Sequence, residues 1–260
     1  MKLTIALRKC LVCLPIAFMT SPSWADTTLG AWTFENLSLT QNLAPAPSSG
    51  SGTANVLGMT NSYAFATIPI VNGSVDASDI TNSPGTQHWR IMGANPAAPP
   101  TVTGWNTSAP QYTQGVQFNV STSGYTGIKV SFDWLATNLG VRNLQPQYTT
   151  DGSSWTNTGS VLTATAATFL TGLTIDLTSI STVNNNASFG VRLVSAFDQT
   201  LGTYAQASNA SLPINNAAGT WRFDNIAVTA VAAVPEPGTY AMMLVGLVLI
   251  VSVVRKRATA

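Results

Sequence analysis

Residues 126–137 read "TGIKVSFDWLAT". Ile128, Val130, Phe132 and Trp134 take every second position, and Lys129, Ser131 and Asp133 take the places between. A period of two puts the apolar set on one face of a β-strand and the polar set on the other. A helix of this sequence would scatter both sets around its axis. The stretch therefore predicts a half-buried strand, and the chain around it reads the same way.

"GVQFNV" at 115–120 alternates too, with Val116, Phe118 and Val120 inward. The link "STSGYTG" is short, so this strand and the next are expected to pair as an antiparallel hairpin. "LTIDLTSI" puts Leu173, Ile175 and Leu177 on one face, and "ASFGVRLVSAF" does so for Phe189, Val191, Leu193 and Phe197. In "TWRFDNIAVTAV" Trp221 and Phe223 share one parity, while Ile226 and Val228 share the other. A one-residue slip near Asp224-Asn225 predicts a β-bulge. Asp151-Gly152 in "QPQYTTDGSSWTNTG" signals a turn. "LGAWTFENL", "YAFATIPI" and "HWRIMG" are further strand candidates. "NLAPAPSSGSGTANVLG", "GANPAAPPTVTGWNTSAPQ" and "TYAQASNASLPINNAAG" lack such a pattern and read as long loops. Short strands without helices predict an all-β fold, an antiparallel two-sheet sandwich of jelly-roll type. The first and last strands are expected to lie adjacent.

The ends read differently. Residues 1–25 have the build of a signal peptide: Lys2, Arg8 and Lys9, then an apolar run, then Ser23-Trp24-Ala25. Cleavage is expected between Ala25 and Asp26. Cys10 and Cys13 leave with it, so residues 26–233, the expected ectodomain, hold no cysteine. Disulfides and thiol chemistry are excluded there. That span carries five basic and nine acidic residues, a net charge of −4. No basic patch exists to neutralise phosphates, so no nucleic-acid partner is expected.

The chain ends "VPEPGTYAMMLVGLVLIVSVVRKRATA" from Val234. Pro235-Glu236-Pro237 precedes an apolar run, and Arg255-Lys256-Arg257 follows it. Residues 238–254 make 17 positions, or about 25 Å of helix. That is marginal for one transmembrane helix through a core of ~30 Å. Basic residues directly behind it stay on the cytoplasmic side as a stop-transfer signal. The three parts closely resemble the PEP-CTERM sorting signal of exopolysaccharide-producing Gram-negative bacteria. The resemblance covers 234–260. It implies recognition of Pro235, Glu236 and Pro237 by an exosortase, passing anchorage in the inner membrane, and release to the cell surface or medium. More weakly, "VSFDWLATN", "QYTTDGSSWTN" and "WRFDNIAVTA" resemble strands of jelly-roll-like ectodomains found on such proteins. A surface or matrix role in exopolysaccharide or biofilm is what that resemblance implies.

Chemistry in the middle is sparse. His88 is the only histidine, and no Gly-x-Ser-x-Gly elbow accompanies it. No catalytic residue is expected, and one histidine cannot build a histidine-based metal site. Glu35 and the scattered aspartates offer no obvious glycosidase pair. Asp76-Ala77-Ser78-Asp79 supplies oxygens that suit calcium, without EF-hand spacing. It reads as solvated loop, and no cofactor is expected. Trp105, Tyr112, Tyr148 and Trp155 fall in or beside loops and are the candidates for stacking on sugar rings. Packing beneath a long loop is the competing reading for each. Trp32, Trp134 and Trp221 sit on apolar strand faces and are expected in the core. The expected function is a non-enzymatic, exported matrix or adhesive protein. A carbohydrate-binding module is the alternative, and a secreted hydrolase stands third.

Overall fold

A computed structural model describes residues 25–35, 44–58, 88–92, 105–214, 219–233 and 243–250. The strands among them are β1 (Thr27–Trp32), β2 (Ser49–Gly50), β3 (Thr53–Leu57), β4 (Trp89–Met92), β5 (Gly115–Asn119) and β6 (Tyr125–Ala136). They continue with β7 (Asn143–Thr149), β8 (Thr156–Asn157), β9 (Leu162–Thr163), β10 (Leu170–Asp176), β11 (Gly190–Ala196) and β12 (Thr220–Ala232). The first sheet runs β10-β6-β12-β1-β2, with β4 also on β12. The second runs β3-β5-β11-β7-β8, with β9 also on β7. Every strand pair described is antiparallel. The fold is a two-sheet antiparallel sandwich, as the alternation predicts.

The two inner faces meet in one aromatic core. Val130, Phe132, Trp134, Trp221, Phe223 and Val228 of the first sheet face Val116, Phe118, Leu144, Val191 and Leu193 of the second, all buried in a single cluster. Trp32 and Phe118 touch across the layers with ring centroids 4.9 Å apart. β12 keeps its apolar residues inward along its whole length because of a bulge. Register shifts between Asp224 and Ala227, where Asn225 takes φ +48°. Asparagine tolerates that left-handed conformation better than most residues. β1 pairs with β12, so the first and last strands are neighbours.

Two expectations fail. β5 and β6 are not a hairpin. β5 lies between β3 and β11, and β6 lies between β10 and β12. The short link carries the chain from one sheet to the other. Thr122 pins it, its hydroxyl donating to the Val183 carbonyl at 2.6 Å. Strands facing each other across a core show the same alternation as strands paired in one sheet, so periodicity cannot separate the cases. The second failure is "NLAPAPSSGSGTANVLG", read as loop. It contains β2 and β3. Ala54 of β3 is buried, but its side chain is too small to write a hydrophobic signal.

"YAFATIPI", the signal peptide up to Trp24 and the Asp76–Asp79 loop lie outside the described residues. So do Pro235, Glu236, Pro237 and Arg255, Lys256, Arg257. Of the apolar run, 243–250 is helical, and Leu244, Val245, Leu247, Val248, Leu249 and Ile250 are all exposed. No helix among the described residues is long and apolar enough to cross a membrane.

Candidate functional site: an amide row on the second sheet

The outer face of the second sheet is built from the polar positions of its alternating strands. Register places Asn55 opposite Gln117, Gln117 opposite Arg192, Arg192 opposite Gln147 and Gln147 opposite Asn157. Five strands thus present one straight row. At ~4.8 Å between strands it spans about 19 Å. A parallel row holds Thr53, Asn119, Gly190 and Thr149.

Side-chain bonds lock the row. The Arg192 Nε–H donates to Gln117 Oε1 at 2.8 Å. Gln117 Nε2 donates to Asn119 Oδ1 at 2.8 Å, and Asn119 Nδ2 donates to Thr53 Oγ1 at 3.2 Å. On the other flank Gln147 Nε2 donates to Asn157 Oδ1 at 2.8 Å. Gln145, Gln147 and Asn143 are buried although they point away from the core. A cleft of about 370 Å³ opens beside Asn143 and Thr163, bounded also by Phe197 and Asp198.

Trp155 lies on this face. The Asp151-Gly152 turn puts it there. Asp151 Oδ1 accepts from the backbone N–H of Ser153 at 2.8 Å and of Ser154 at 2.6 Å, and Gly152 adopts φ +77°. Those hydrogen bonds hold the Asp151 carboxyl well below its ordinary range. The chain then returns as β8, with Tyr148 opposite Thr156. Arg192 Cζ sits 3.8 Å from the Trp155 ring centroid, a cation–π contact. Gly190 makes room for the ring: a Cβ there would meet Asn119 Oδ1 at 2.7 Å and the Trp155 ring at 3.1 Å. The indole and the guanidinium are both only half-buried.

The four aromatic candidates part company here. Trp155 is on the row. Tyr148 is on the same strand as Gln147 but points to the core, against which it packs. Tyr112, at φ +70°, is half-buried where the 105–114 loop meets β11, its N–H donating to the Ser195 carbonyl at 2.8 Å. Trp105 is not at the surface at all. It is 1% exposed and meets Trp221 edge-on at 4.8 Å. The loop holds it there through Gln114, whose Oε1 accepts the Asn106 N–H at 2.6 Å. Gln117, Asn119, Gln147 and Arg192 escape the sequence reading, which follows only the inward parity. The signal was present: the alternate positions of "GVQFN", "NLQPQYT" and "GVRLV" carry amides and one arginine rather than the usual mixed charges.

A second polar cluster lies on the outer face of the first sheet. Asp133 and Asp224 are direct cross-strand neighbours, and both are buried. Asp133 is fully engaged: Oδ1 accepts the Gly172 N–H at 2.6 Å, and Oδ2 accepts Asn225 Nδ2 at 2.8 Å. Asp224 is pushed up to about 7, chiefly by burial and further by Glu35 and Asp133. His88, 1% exposed, packs against Phe169. Burial and the charges of Arg222 and Arg90 lower it to about 3, against the opposing pull of Glu35. The cluster thus holds a neutral acid and a neutral imidazole near pH 5.

These two groups oppose each other in pH dependence. Unfolded Asp224 deprotonates near 3.8, so its contribution falls as pH rises from about 4 to 7. Unfolded His88 takes a proton below 6.5, so its contribution grows as pH rises from about 3 to 6.5. In the wild type the slopes largely cancel between pH 4 and 6.5. His88→Phe should therefore lose stability across pH 4–7, and Asp224→Asn should gain it across pH 3–6.5. Urea midpoints measured over that range test this. Identical slopes in both variants would refute it.

The comparisons with known proteins bear on the tail. A family model, the PEP-CTERM protein-sorting motif, matches residues 233–258. The chain ends in a PEP-CTERM sorting motif. That motif implies exosortase processing, with export and transient membrane anchoring before release at the cell surface. No curated protein matches the chain in sequence. Among solved structures, similar ones include the CBM22-1 xylan-binding domain of Xyn10C from Paenibacillus barcinonensis. It is 14% identical over 82% of this chain and 99% of that one, with a TM-score of 0.39. The CBM22-1-CBM22-2 tandem domain of the same protein is 14% identical over 84% and 49%, with a TM-score of 0.38. Likeness at that level carries no correspondence between residues.

Proposed function

We propose that this PEP-CTERM protein is an exported surface protein whose sandwich binds polysaccharide along the amide row of the second sheet. Delivery follows from a signal peptide at 1–25 and exosortase action at Pro235-Glu236-Pro237. The body then serves an adhesive, non-enzymatic role in an exopolysaccharide matrix. One observation carries the binding reading: Trp155 stacked on Arg192 at the centre of a five-strand row of amides. Sugars offer apolar ring faces and hydroxyls that both donate and accept. An indole matches the first, and amides, which also donate and accept, match the second. The row is fixed by internal bonds, so little ordering cost falls on binding.

The test is titration calorimetry of the released protein against the exopolysaccharide of the cells that make it. Saturable binding is expected. Trp155→Ala should weaken it by about 2 kcal/mol, roughly 30-fold in Kd, the size usual for a central aromatic contact. Tyr112→Ala should change it little. No binding by the wild type, or binding indifferent to Trp155→Ala, would overturn the reading.

A further inference from the structure

We propose that Arg192 makes the amide row selective for acidic polysaccharide, binding a sugar carboxylate at its terminal nitrogens. This rests on the polysaccharide reading above and narrows it.

Arg192 is the only charged residue in the row of Asn55, Gln117, Arg192, Gln147 and Asn157. It is held on two sides. Trp155 covers the guanidinium plane at 3.8 Å, and Gln117 takes the Nε–H at 2.8 Å. Gln117 cannot simply turn away. Its own amide is committed to Asn119, which is committed to Thr53. Because the Arg192 Nε–H can only donate, Gln117 presents its oxygen to it and turns its NH₂ toward Asn119.

Among the described residues the remaining edge has no partner. No described side chain or carbonyl accepts from the two terminal nitrogens, and no carboxylate is paired with them. Asp151, on the turn that leads to Trp155, directs its Oδ1 to Thr149, Ser153 and Ser154. Burial alone acts on the Arg192 pKa, lowering it, and no neighbouring acid offsets that. A half-buried guanidinium without a counter-charge is an unfavourable arrangement in an isolated protein. It becomes favourable when a ligand supplies a planar carboxylate, which the terminal N–H pair fits in bidentate fashion. The more accessible amides of the row, Asn55, Gln117 and Asn157, suit the hydroxyls of the same and adjoining sugars. Arg142, by contrast, spends an N–H on the Ala207 carbonyl at 3.1 Å.

The experiment uses the full released protein and two matched probes. One is polygalacturonate. The other is the same polymer with its carboxyls reduced to alcohols. The wild type should bind the acidic polymer at least tenfold more tightly, and the gap should shrink as salt is raised. Arg192→Gln should bind both polymers alike. Gln117→Glu gives a second route to the same result, since it keeps the guanidinium but supplies an internal carboxylate at the Nε side. Thermal unfolding of both variants verifies folding. If the wild type binds both polymers equally and still depends on Trp155, the selectivity is wrong and the polysaccharide site stands. If the wild type binds neither, both fall. A preference that persists in Arg192→Gln also overturns the proposal.

Discussion

Trp221→Ala is expected to lower the unfolding free energy by about 4 kcal/mol or more. Trp221 is fully buried on β12. It meets Trp105, Trp134 and Phe223 edge-on at 4.8, 5.3 and 6.0 Å. Its Nε1–H donates to the Val141 carbonyl at 2.7 Å. Truncation removes a large aromatic from a packed interior, which alone costs about 3–5 kcal/mol. It also leaves a buried carbonyl without its donor, at about 1–3 kcal/mol. Domains of this kind are stable by only about 5–15 kcal/mol, so the variant approaches the folding threshold. At about 2–4 °C per kcal/mol, the melting temperature should fall by roughly 10 °C or more. Trp221→Phe separates the two causes. It keeps most of the ring and loses the donor, so about 1–2 kcal/mol is expected. Chemical denaturation of both variants measures this. A loss under about 1.5 kcal/mol for Trp221→Ala would mean that the cluster is not the centre of the core.

The second large effect concerns the tail. Replacing Pro235, Glu236 and Pro237 together by alanine should nearly abolish release of the protein. Proline carries no backbone N–H and disfavours the helical region for the residue before it, so a Pro-Glu-Pro sequence is the kind a protease can read as extended chain. Behind it, 243–250 is helical with its apolar side chains exposed. Uncut, the chain should stay in the membrane fraction with Arg255, Lys256 and Arg257 attached. Intact mass decides it. Wild-type protein from the surface or medium should end near 235–237. Released protein that retains 255–257 would show a plain anchor instead. Release of the triple variant would show that the motif is not what is read.

How much of this was written in the sequence depends on which face of a strand is considered. Inward positions were legible. Ile128, Val130, Phe132 and Trp134 are all buried, and the slip at Asp224-Asn225 is a real bulge. Partnership was not. β5 and β6 carry matching alternation yet belong to different sheets, because burial against a facing layer and pairing within a layer leave the same trace. β2 and β3 were hidden by small residues, since backbone pairing needs no hydrophobic side chain. Trp105 follows the second of its two readings, packing beneath its loop, and a proline-rich sequence alone does not choose between them. The amide row was overlooked for a simpler reason: outward polar residues are usually plain solvent contacts, and only cross-strand register shows five of them in line.

β12 occupies a singular place in the order of assembly. It bonds to β1, β4 and β6 at once, yet it ends at Ala232, one residue before the sorting motif begins at 233. A chain that emerges N-terminus first therefore has no way to close its first sheet until almost all of it has crossed. Contacts between such distant parts form late and slowly. Every strand of the second sheet lies before β12, so that sheet can assemble while the first still lacks its middle strand. The last strand needed to close the first sheet and the first residue of the sorting motif are thus next to each other in the order of emergence.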